Sequence, residues 1–136
     1  MKHCRPILAA AMLCVPLFAG AQSFDQPWGV IEAGDRSQTR RQEAVALTRI
    51  DGRSTRTPRR PDAVAPGKRV VDVRFSSARS VVGDQDRTIE VDVQPCTRYR
   101  VVAQLENSVS GRWEPVVSAP EVIGECRRKF MEPAKK

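Results

Sequence analysis

Histidine is nearly missing from this sequence of 136 residues, because its only one, His3, lies in a segment that we expect to be removed. Without histidine there is no imidazole to ligate a metal ion, to activate a serine or cysteine nucleophile, or to act as a pH switch. We therefore expect a protein that is not an enzyme and that binds neither a metal ion nor a cofactor.

Leucine and aromatic residues are also scarce. After Ala21 the sequence contains two leucines and four isoleucines but sixteen valines, and aromatic residues make up 5% of the whole chain. Valine and isoleucine favour strands, whereas leucine favours helices. The composition therefore predicts a single all-β domain with a core packed mainly by valine.

No hydrophobic run is long enough to cross a membrane. The longest apolar stretch, Pro6–Phe18, is well short of the roughly 20 residues that a transmembrane helix needs. Lys2 and Arg5 precede it and Ala19-Gly20-Ala21 follows it, an order typical of a cleaved secretory signal peptide. We expect residues 1–21 to be this signal peptide and the protein to be periplasmic or secreted, not membrane-spanning. An uncleaved anchor is the alternative.

Two cysteines remain after Ala21, Cys96 and Cys126. In an oxidising compartment an isolated pair is most simply a disulfide. A hairpin turn between Ser108 and Gly111 would pair residues whose numbers add up to about 218–220, and those of the two cysteines add up to 222. Both sulfurs would then lie near the open end of that hairpin, with about one bulge of slack.

Alternation of apolar and polar residues predicts the strands. Val71, Val73 and Phe75 alternate with polar residues, as expected for a half-buried strand. By the same criterion strands are predicted at 44–50, 68–75, 87–93, 98–106 and 113–117, with 122–123 extending the last one. The Asp51-Gly52 pair predicts a turn after the first strand. A short helix over 37–47, capped by Ser37, is the alternative to that strand.

These strands predict one β domain over residues 43–126. Residues 22–42 read as a flexible N-terminal segment, in which Trp28 and Ile31 could add an edge strand. Residues 127–136 read as a basic, frayed tail. Two carboxylates, Glu90 and Asp92, are expected to form cross-strand ion pairs with Arg98 and Arg100.

The run Val93-Gln94-Pro95-Cys96-Thr97-Arg98-Tyr99, followed by alternating apolar residues to Leu105, resembles the tyrosine corner of fibronectin type III and related immunoglobulin-like sandwiches. In those folds the tyrosine hydroxyl bonds to the backbone a few residues upstream. The resemblance covers about residues 87–118. It implies a small immunoglobulin-like β-sandwich, with a structural corner made by Pro95, Thr97 and Tyr99.

A second pattern consists of Ile50-Asp51-Gly52, Val64-Ala65-Pro66-Gly67 and Val71-Asp72-Val73. It is similar to the PEGA-type modules of bacterial envelopes, which are also small β-sandwiches. The Gly-x-Thr-Pro element of those modules is represented only by Arg56-Thr57-Pro58. The whole chain also resembles small exported bacterial proteins. None of these resemblances implies a reaction.

Arginine is concentrated between residues 35 and 61, where eight arginines stand against three acidic residues. This excess of five positive charges equals that of the whole chain after Ala21, in which 21 basic and 16 acidic residues remain. A guanidinium group binds phosphate or carboxylate through two parallel hydrogen bonds. We therefore predict binding of an anionic envelope polymer or lipid by Arg40, Arg41, Arg53, Arg56, Arg59 and Arg60. A solvated basic loop is the alternative.

The sequence favours a non-enzymatic binding or structural module of the bacterial cell envelope. Nucleic acid is not expected as a partner, because no aromatic residue for base stacking stands among these arginines. An inhibitor or accessory subunit that binds an extracytoplasmic protein is the alternative function. Trp113 is either a contact for a partner or a core aromatic residue, and the sequence leaves both open.

Overall fold

The computed structural model describes residues 25–55, 63–75, 85–107 and 111–133. In chain order the described elements are β1 (Gly29–Ala33), β2 (Gln42–Ala44), β3 (Ala46–Ile50), β4 (Arg53–Ser54), β5 (Ala63–Val64), β6 (Gly67–Phe75), β7 (Gln85–Val93), β8 (Thr97–Leu105), β9 (Trp113–Val117), β10 (Glu121–Val122) and α1 (Gly124–Phe130). The prediction of a mostly β protein is confirmed. The predicted signal peptide, residues 1–21, lies outside the described residues, as do Arg56, Arg59 and Arg60.

The strands form two sheets. The first sheet has six strands and is built around β8. One edge of β8 pairs with β1, in parallel, and then with β2, whereas its other edge pairs with β10 and β9. Strand β5 extends this sheet beyond β1. The second sheet has the order β4-β3-β6-β7, and its neighbouring strands are antiparallel.

A hydrophobic cluster between the two sheets forms the main core. Alternate residues of β6 and β7 face alternate residues of β8 across it, as the sequence pattern predicts. Its buried members are Ile31, Val45, Val71, Val73, Phe75, Val91, Val93, Tyr99, Val101, Ala103 and Trp113. Each fully buried valine contributes roughly 1.5–3 kcal/mol through removal of apolar surface from water.

A smaller cluster, the end core, lies where β1 and β8 begin. It contains Trp28, Val30, Cys96 and Cys126, and Ala63, Ile123 and Phe130 pack against it. Strand β1 contributes to both clusters, because Val30 and its neighbour Ile31 point to opposite faces of the first sheet. The end core therefore lies on the outer face of that sheet.

The expectation that residues 22–42 are flexible is wrong for the stretch that forms β1. This strand lies between β8 and β5, not at an edge, and Ile31 is only 1% exposed. Gly29 permits the backbone of β1 to lie close to the Val93 side chain, because a Cβ atom at this position would collide with it.

The strand predicted over 44–50 is two strands. β2 belongs to the first sheet and β3 to the second, and the buried Val45 lies at the crossing between them. The alternative helix over 37–47 does not form, because Ser37 and Gln42 close a turn that leads into β2. The predicted turn after β3 is confirmed: Asp51 and Gly52 have φ angles of 50° and 77°, as a two-residue hairpin turn requires.

The C-terminal hairpin has the predicted register. Paired residue numbers add up to 218 for β8 with β9 and to 219 for β8 with β10. The predicted disulfide between Cys96 and Cys126 is confirmed, with a Cα–Cα distance of 5.3 Å. The expectation of a frayed tail from residue 127 is wrong up to Phe130, because these residues belong to α1. Packed structure therefore extends beyond residues 43–126 on both sides.

Candidate anion-binding surface

The turn between β7 and β8 carries the chain from the second sheet to the first. The ring of Tyr99 lies in the main core, and its hydroxyl accepts a hydrogen bond from the Gln94 backbone N–H at 2.9 Å. This is the contact that the tyrosine-corner resemblance implies. In the same turn the Thr97 hydroxyl donates to the Pro95 carbonyl at 3.0 Å. Together these bonds fix the backbone on both sides of Cys96.

Cys96 is the point where three segments meet. Its backbone N–H donates to the Trp28 carbonyl at 2.7 Å, and its carbonyl accepts from the Ile123 N–H at 2.8 Å. Its sulfur is bonded to Cys126 in α1. The start of β1, the end of β10 and the C-terminal helix are therefore held by one residue.

Helix α1 presents a different chemistry on each side. Cys126 is buried, and one turn later Phe130 packs edge-on against Trp28, with ring centroids 5.8 Å apart. Residues four apart lie on the same face of a helix. The intervening residues, Arg127, Arg128 and Lys129, are exposed. These cations are not evident as a functional group in the sequence, where residues 127–136 read as a frayed basic tail.

The arginine segment, residues 53–60, begins in β4 of the second sheet and is followed by β5 of the first sheet. Arg53 is exposed on β4, at the edge of the second sheet. After the segment, β5 pairs with β1, and Ala63 packs against the end core. The strand that follows the segment, β5, therefore lies beside the cluster that also holds α1.

Arg40 and Arg41 lie at the opposite end of the first sheet, so the structure does not place them with Arg53. The Arg41 guanidinium donates to the Glu106 carbonyl at 3.0 Å, and the Arg41 carbonyl accepts from the Leu105 N–H at 3.0 Å. Leu105 is the last residue of β8, and Glu106 follows it directly. Arg41 thus attaches the turn before β2 to the sheet, and the six predicted arginines do not form one described patch.

Many of the other cations are neutralised by a carboxylate. The closest nitrogen–oxygen distances are 3.0 Å for Arg36–Glu43, 2.9 Å for Arg69–Asp51, 2.7 Å for Arg74–Asp86, 2.9 Å for Arg100–Glu32 and 3.7 Å for Arg112–Glu106. Arg100 also contacts Glu121. Such exposed pairs stabilise the fold little, because solvent screens them, but they leave few of these cations available to an external anion.

The expected ion pairs of Arg98 and Arg100 with Glu90 and Asp92 are wrong. These acidic residues are on β7, which pairs with β6 in the second sheet, so Glu90 contacts Lys68 at 3.2 Å instead. The alternation had identified the exposed positions of each strand but not which strands are neighbours.

Seven arginines differ from the neutralised ones. Within the part of the chain that the structure describes, no carboxylate oxygen lies within 4.0 Å of their guanidinium groups. They are Arg40, Arg41, Arg49, Arg53, Arg87, Arg127 and Arg128. Of these, Arg41 donates to a backbone carbonyl and Arg87 lies over the Trp113 ring. Arg53 starts the arginine segment, and Arg127 and Arg128 lie on α1.

Three of the neutralised groups have pKa values that are shifted toward the charged form. The Val70 backbone N–H and the Arg69 guanidinium lower the pKa of Asp51 below its ordinary value. A hydrogen bond from Arg74 lowers the pKa of Asp86. The hydrogen bond to Glu121 raises the pKa of Arg100 further. These pairs therefore persist at neutral pH.

Trp113 is a core residue, so the structure does not support it as a contact for a partner. It is only 3% exposed and packs against Phe75, with ring centroids 5.4 Å apart. Its indole N–H donates to the Gln85 side chain at 3.1 Å, and the Arg87 guanidinium lies over the ring.

The described ranges contain no group of three or more histidine, cysteine or acidic residues that could hold a metal ion. They also contain no helix with the length and hydrophobicity to cross a lipid bilayer. No protein-family model matches the chain, and no curated protein or solved structure gives a match.

Proposed function

We propose that this protein is a periplasmic or secreted binding module of the bacterial cell envelope, and that it holds an anionic polymer or lipid through the arginine segment. The proposal includes cleavage of residues 1–21 as a signal peptide and an immunoglobulin-like arrangement of the two sheets. It assigns no catalytic reaction to the domain.

The observation that carries the proposal is the contrast between Arg53 and the arginines that a carboxylate neutralises. Arg53 is exposed and has no carboxylate at ion-pair distance among the described residues. From Arg53 to Arg60 the sequence continues with three more arginines and no acidic residue. A guanidinium group can bind phosphate or carboxylate through two parallel hydrogen bonds.

The ends of the segment also favour binding. β4 is paired with β3, and β5 is paired with β1. Because both flanking strands are fixed, the two ends of the segment lose no freedom when an anion binds, which limits the entropy lost on binding. A segment held in this way is better suited to a ligand than a free basic tail.

The test is co-sedimentation of the oxidised protein with isolated envelope fractions at low salt and at about 0.5 M salt, where the Debye length is only a few ångströms. The variant Arg53→Ser/Arg56→Ser/Arg59→Ser/Arg60→Ser should lose at least about tenfold in binding at low salt, because each lost phosphate contact removes electrostatic affinity.

The matched control removes four cations that already have carboxylate partners: Arg36, Lys68, Arg74 and Arg112. It changes the net charge by the same amount but leaves the arginine segment intact. If that segment is the site, the control should bind nearly as well as the wild type. An equal loss of binding in both variants would mean that binding depends only on the net charge of the protein, and not on the arginine segment. Binding that survives high salt in all proteins would favour the alternative function, in which the partner is an extracytoplasmic protein.

A further inference from the structure

Strand β7 forms one edge of the second sheet. All of its residues, Gln85–Val93, pair with β6 in one uninterrupted register. In the part of the chain that the structure describes, no strand pairs with its other edge. Every second residue of such an edge strand points its backbone N–H and C=O away from the sheet. β7 therefore presents a row of hydrogen-bonding groups that has the spacing of a strand.

The other outer strands of the two sheets are poor templates for an added strand. β4, β5 and β10 have two residues each, and β2 has three. β9 is longer, but it contains Pro115, which has no N–H to donate. β7 has neither proline nor glycine, and no bulge interrupts it. A long, regular edge of this kind is where another strand can pair.

A groove beside this edge has room for the side chains of an added strand. The groove has a volume of about 770 Å³ and lies between β7 and β9. Arg87 and Ile89 line it from β7, and Trp113 and Pro115 line it from β9. Because side chains alternate along a strand, an added strand would place every second side chain on this side and the others on the outer face of the second sheet.

The outer face of β7 is acidic. Three of its four side chains there are carboxylates, Asp86, Glu90 and Asp92. Both oxygens of Asp86 accept hydrogen bonds from Arg74. Lys68 contacts one oxygen of Glu90, and among the described residues no cation lies within 4.0 Å of Asp92. The second half of β7 therefore has two carboxylates for a single lysine.

We propose that the edge of β7 binds an extended segment of a partner protein as an added antiparallel strand, with basic side chains opposite Glu90 and Asp92. Main-chain hydrogen bonds give such a complex its affinity, and the alternate side chains give it specificity. Opposite charges that face each other across a ladder add stability. The antiparallel direction continues the pattern of the second sheet. This surface is separate from the arginine segment, so the inference goes beyond the proposed function.

A second copy of this chain is a poor occupant of the same edge. Residues directly opposite each other in a ladder lie on the same face of the sheet. Two β7 strands paired along most of their length about a twofold axis would place Asp86 opposite Asp92 or Glu90, or Glu90 opposite its own copy. Like charges directly opposite each other are destabilising. The charge of β7 therefore selects against self-association and favours a basic partner segment.

The test uses the oxidised protein and the peptide Lys-Val-Lys-Val-Thr-Glu-Lys, blocked at both ends and labelled with a fluorophore. In an antiparallel register this peptide places lysine opposite Asp92, Glu90 and Asp86, and glutamate opposite Arg87. Fluorescence anisotropy should show saturable binding to the wild type. Hydrogen exchange should slow at alternate amides of β7, which are those that point away from β6.

Two N-methylated peptides test the backbone hydrogen bonds and leave the protein unchanged. Alternate N–H groups of a strand point to opposite edges, so methylation of the odd-numbered or of the even-numbered peptide residues blocks only one edge. One of the two peptides should bind at least about tenfold more weakly, because it loses several hydrogen bonds. The other should bind nearly as the parent does. Equal behaviour of both peptides would overturn the inference, because the ladder would not be what holds the segment.

The charge of the edge is tested with Glu90→Lys/Asp92→Lys. Binding of the parent peptide should weaken about tenfold, since opposite charges across the ladder become like charges. The matched control, Glu125→Lys/Glu132→Lys, changes the net charge equally at two exposed acidic residues on or just after α1. It should bind the peptide nearly as the wild type does. An equal loss in both variants would contradict the inference, because the peptide would then sense only net charge.

The remaining outcomes identify other occupants. If the wild type does not bind the parent peptide, the inference is wrong. It is also wrong if the wild type is a dimer that the peptide dissociates, because a second copy then occupies the edge. The fourfold arginine-segment variant should bind the peptide as the wild type does. If that variant also keeps its binding to envelope fractions, the proposed function fails and this inference stands. If it loses envelope binding and no protein binds the peptide, this inference fails and the proposed function stands.

Discussion

The two hydrophobic clusters of this domain are built by different means. Within the described ranges the main core joins both sheets, has eleven buried members, and consists mostly of alternating strand residues such as Val71 and Val101. The end core has four buried members, two of which are the cysteines of the disulfide. The larger cluster is thus held by strand pairing and side-chain packing, whereas the smaller one depends on a covalent link.

The difference indicates a division of tasks. The main core fixes the two sheets relative to each other. The end core contacts β5, the strand after the arginine segment, through Ala63, and it fixes α1 through Cys126 and Phe130. The position of β5 therefore depends on the smaller cluster, and weakening this cluster should impair binding by the arginine segment before it unfolds the sheets.

The largest effect is expected from removal of the disulfide with Cys96→Ala/Cys126→Ala. The cysteines are 30 residues apart, and loop-closure entropy then predicts a loss of about 3–4 kcal/mol in the free energy of unfolding. Urea denaturation measures this loss. Hydrogen exchange should accelerate in α1 and β10 well before it does in β6 and β7.

Reduction of the wild type with a thiol reagent is the control, and it should reproduce both results. If α1 amides in the reduced protein exchange as slowly as those of β6, the end core does not depend on its covalent link, and the contrast between the clusters is wrong.

A smaller effect is expected from Tyr99→Phe, which breaks a connection between the clusters. The phenol ring lies in the main core, and its hydroxyl accepts the Gln94 N–H next to the turn that holds Cys96. The variant keeps the ring but loses this hydrogen bond, so the free energy of unfolding should fall by about 1 kcal/mol. Thermal or urea unfolding measures it.

Thr97→Val is the matched control, because it removes the hydroxyl that bonds Pro95 in the same turn, at a residue that is half-buried. Its effect should be smaller than that of Tyr99→Phe. If Tyr99→Phe unfolds at the same midpoint urea concentration as the wild type, the hydrogen bond between Tyr99 and Gln94 contributes no stability.

Alternation predicted the strands around the main core closely. The predicted ranges 68–75 and 113–117 correspond to β6 and β9, with one residue added at the start of β6. Such strands are visible in the sequence because one face is buried and the other is solvated, which requires a period of two.

The elements around the end core could not be predicted in this way. β1 has only a short apolar run, and its parallel partner, β8, lies about seventy residues away in the sequence. α1 has seven residues with two apolar anchors, Cys126 and Phe130, and a helix this short is stable only through tertiary contacts. The spacing of four between these anchors was the one available signal.

The candidate site was predicted only in part for a related reason. Sequence counts identified the excess of arginine, but not which arginines are neutralised, because that depends on strand neighbours. Arg69 is paired with Asp51, eighteen positions away, whereas Arg53, two positions from Asp51, is not at ion-pair distance from it. Proximity in the chain is therefore a poor guide to the cations that stay available.

The smallest effect is expected from Asp51, which lies outside both clusters. Among the described residues neither core contains a buried polar or charged residue, so acid sensitivity has to come from surface carboxylates. The Val70 N–H and Arg69 lower the pKa of Asp51 in the folded protein. Its contribution to stability is therefore present above its unfolded pKa of about 3.9, and is lost as the pH falls through the lower folded value.

Asp51→Asn should destabilise the protein at about pH 6, and the difference from the wild type should shrink at about pH 2 as the wild-type carboxylate is protonated. The difference should be small, because solvent screens a side chain that is 39% exposed. Urea unfolding at both pH values measures it, with Asp92→Asn as the control on the exposed side of β7. A difference in the free energy of unfolding that does not change with pH would mean that the charge of Asp51 adds no stability. The side chain would then stabilise the turn only through its geometry. An asparagine oxygen can still accept the Val70 N–H, so this contact does not require the charge.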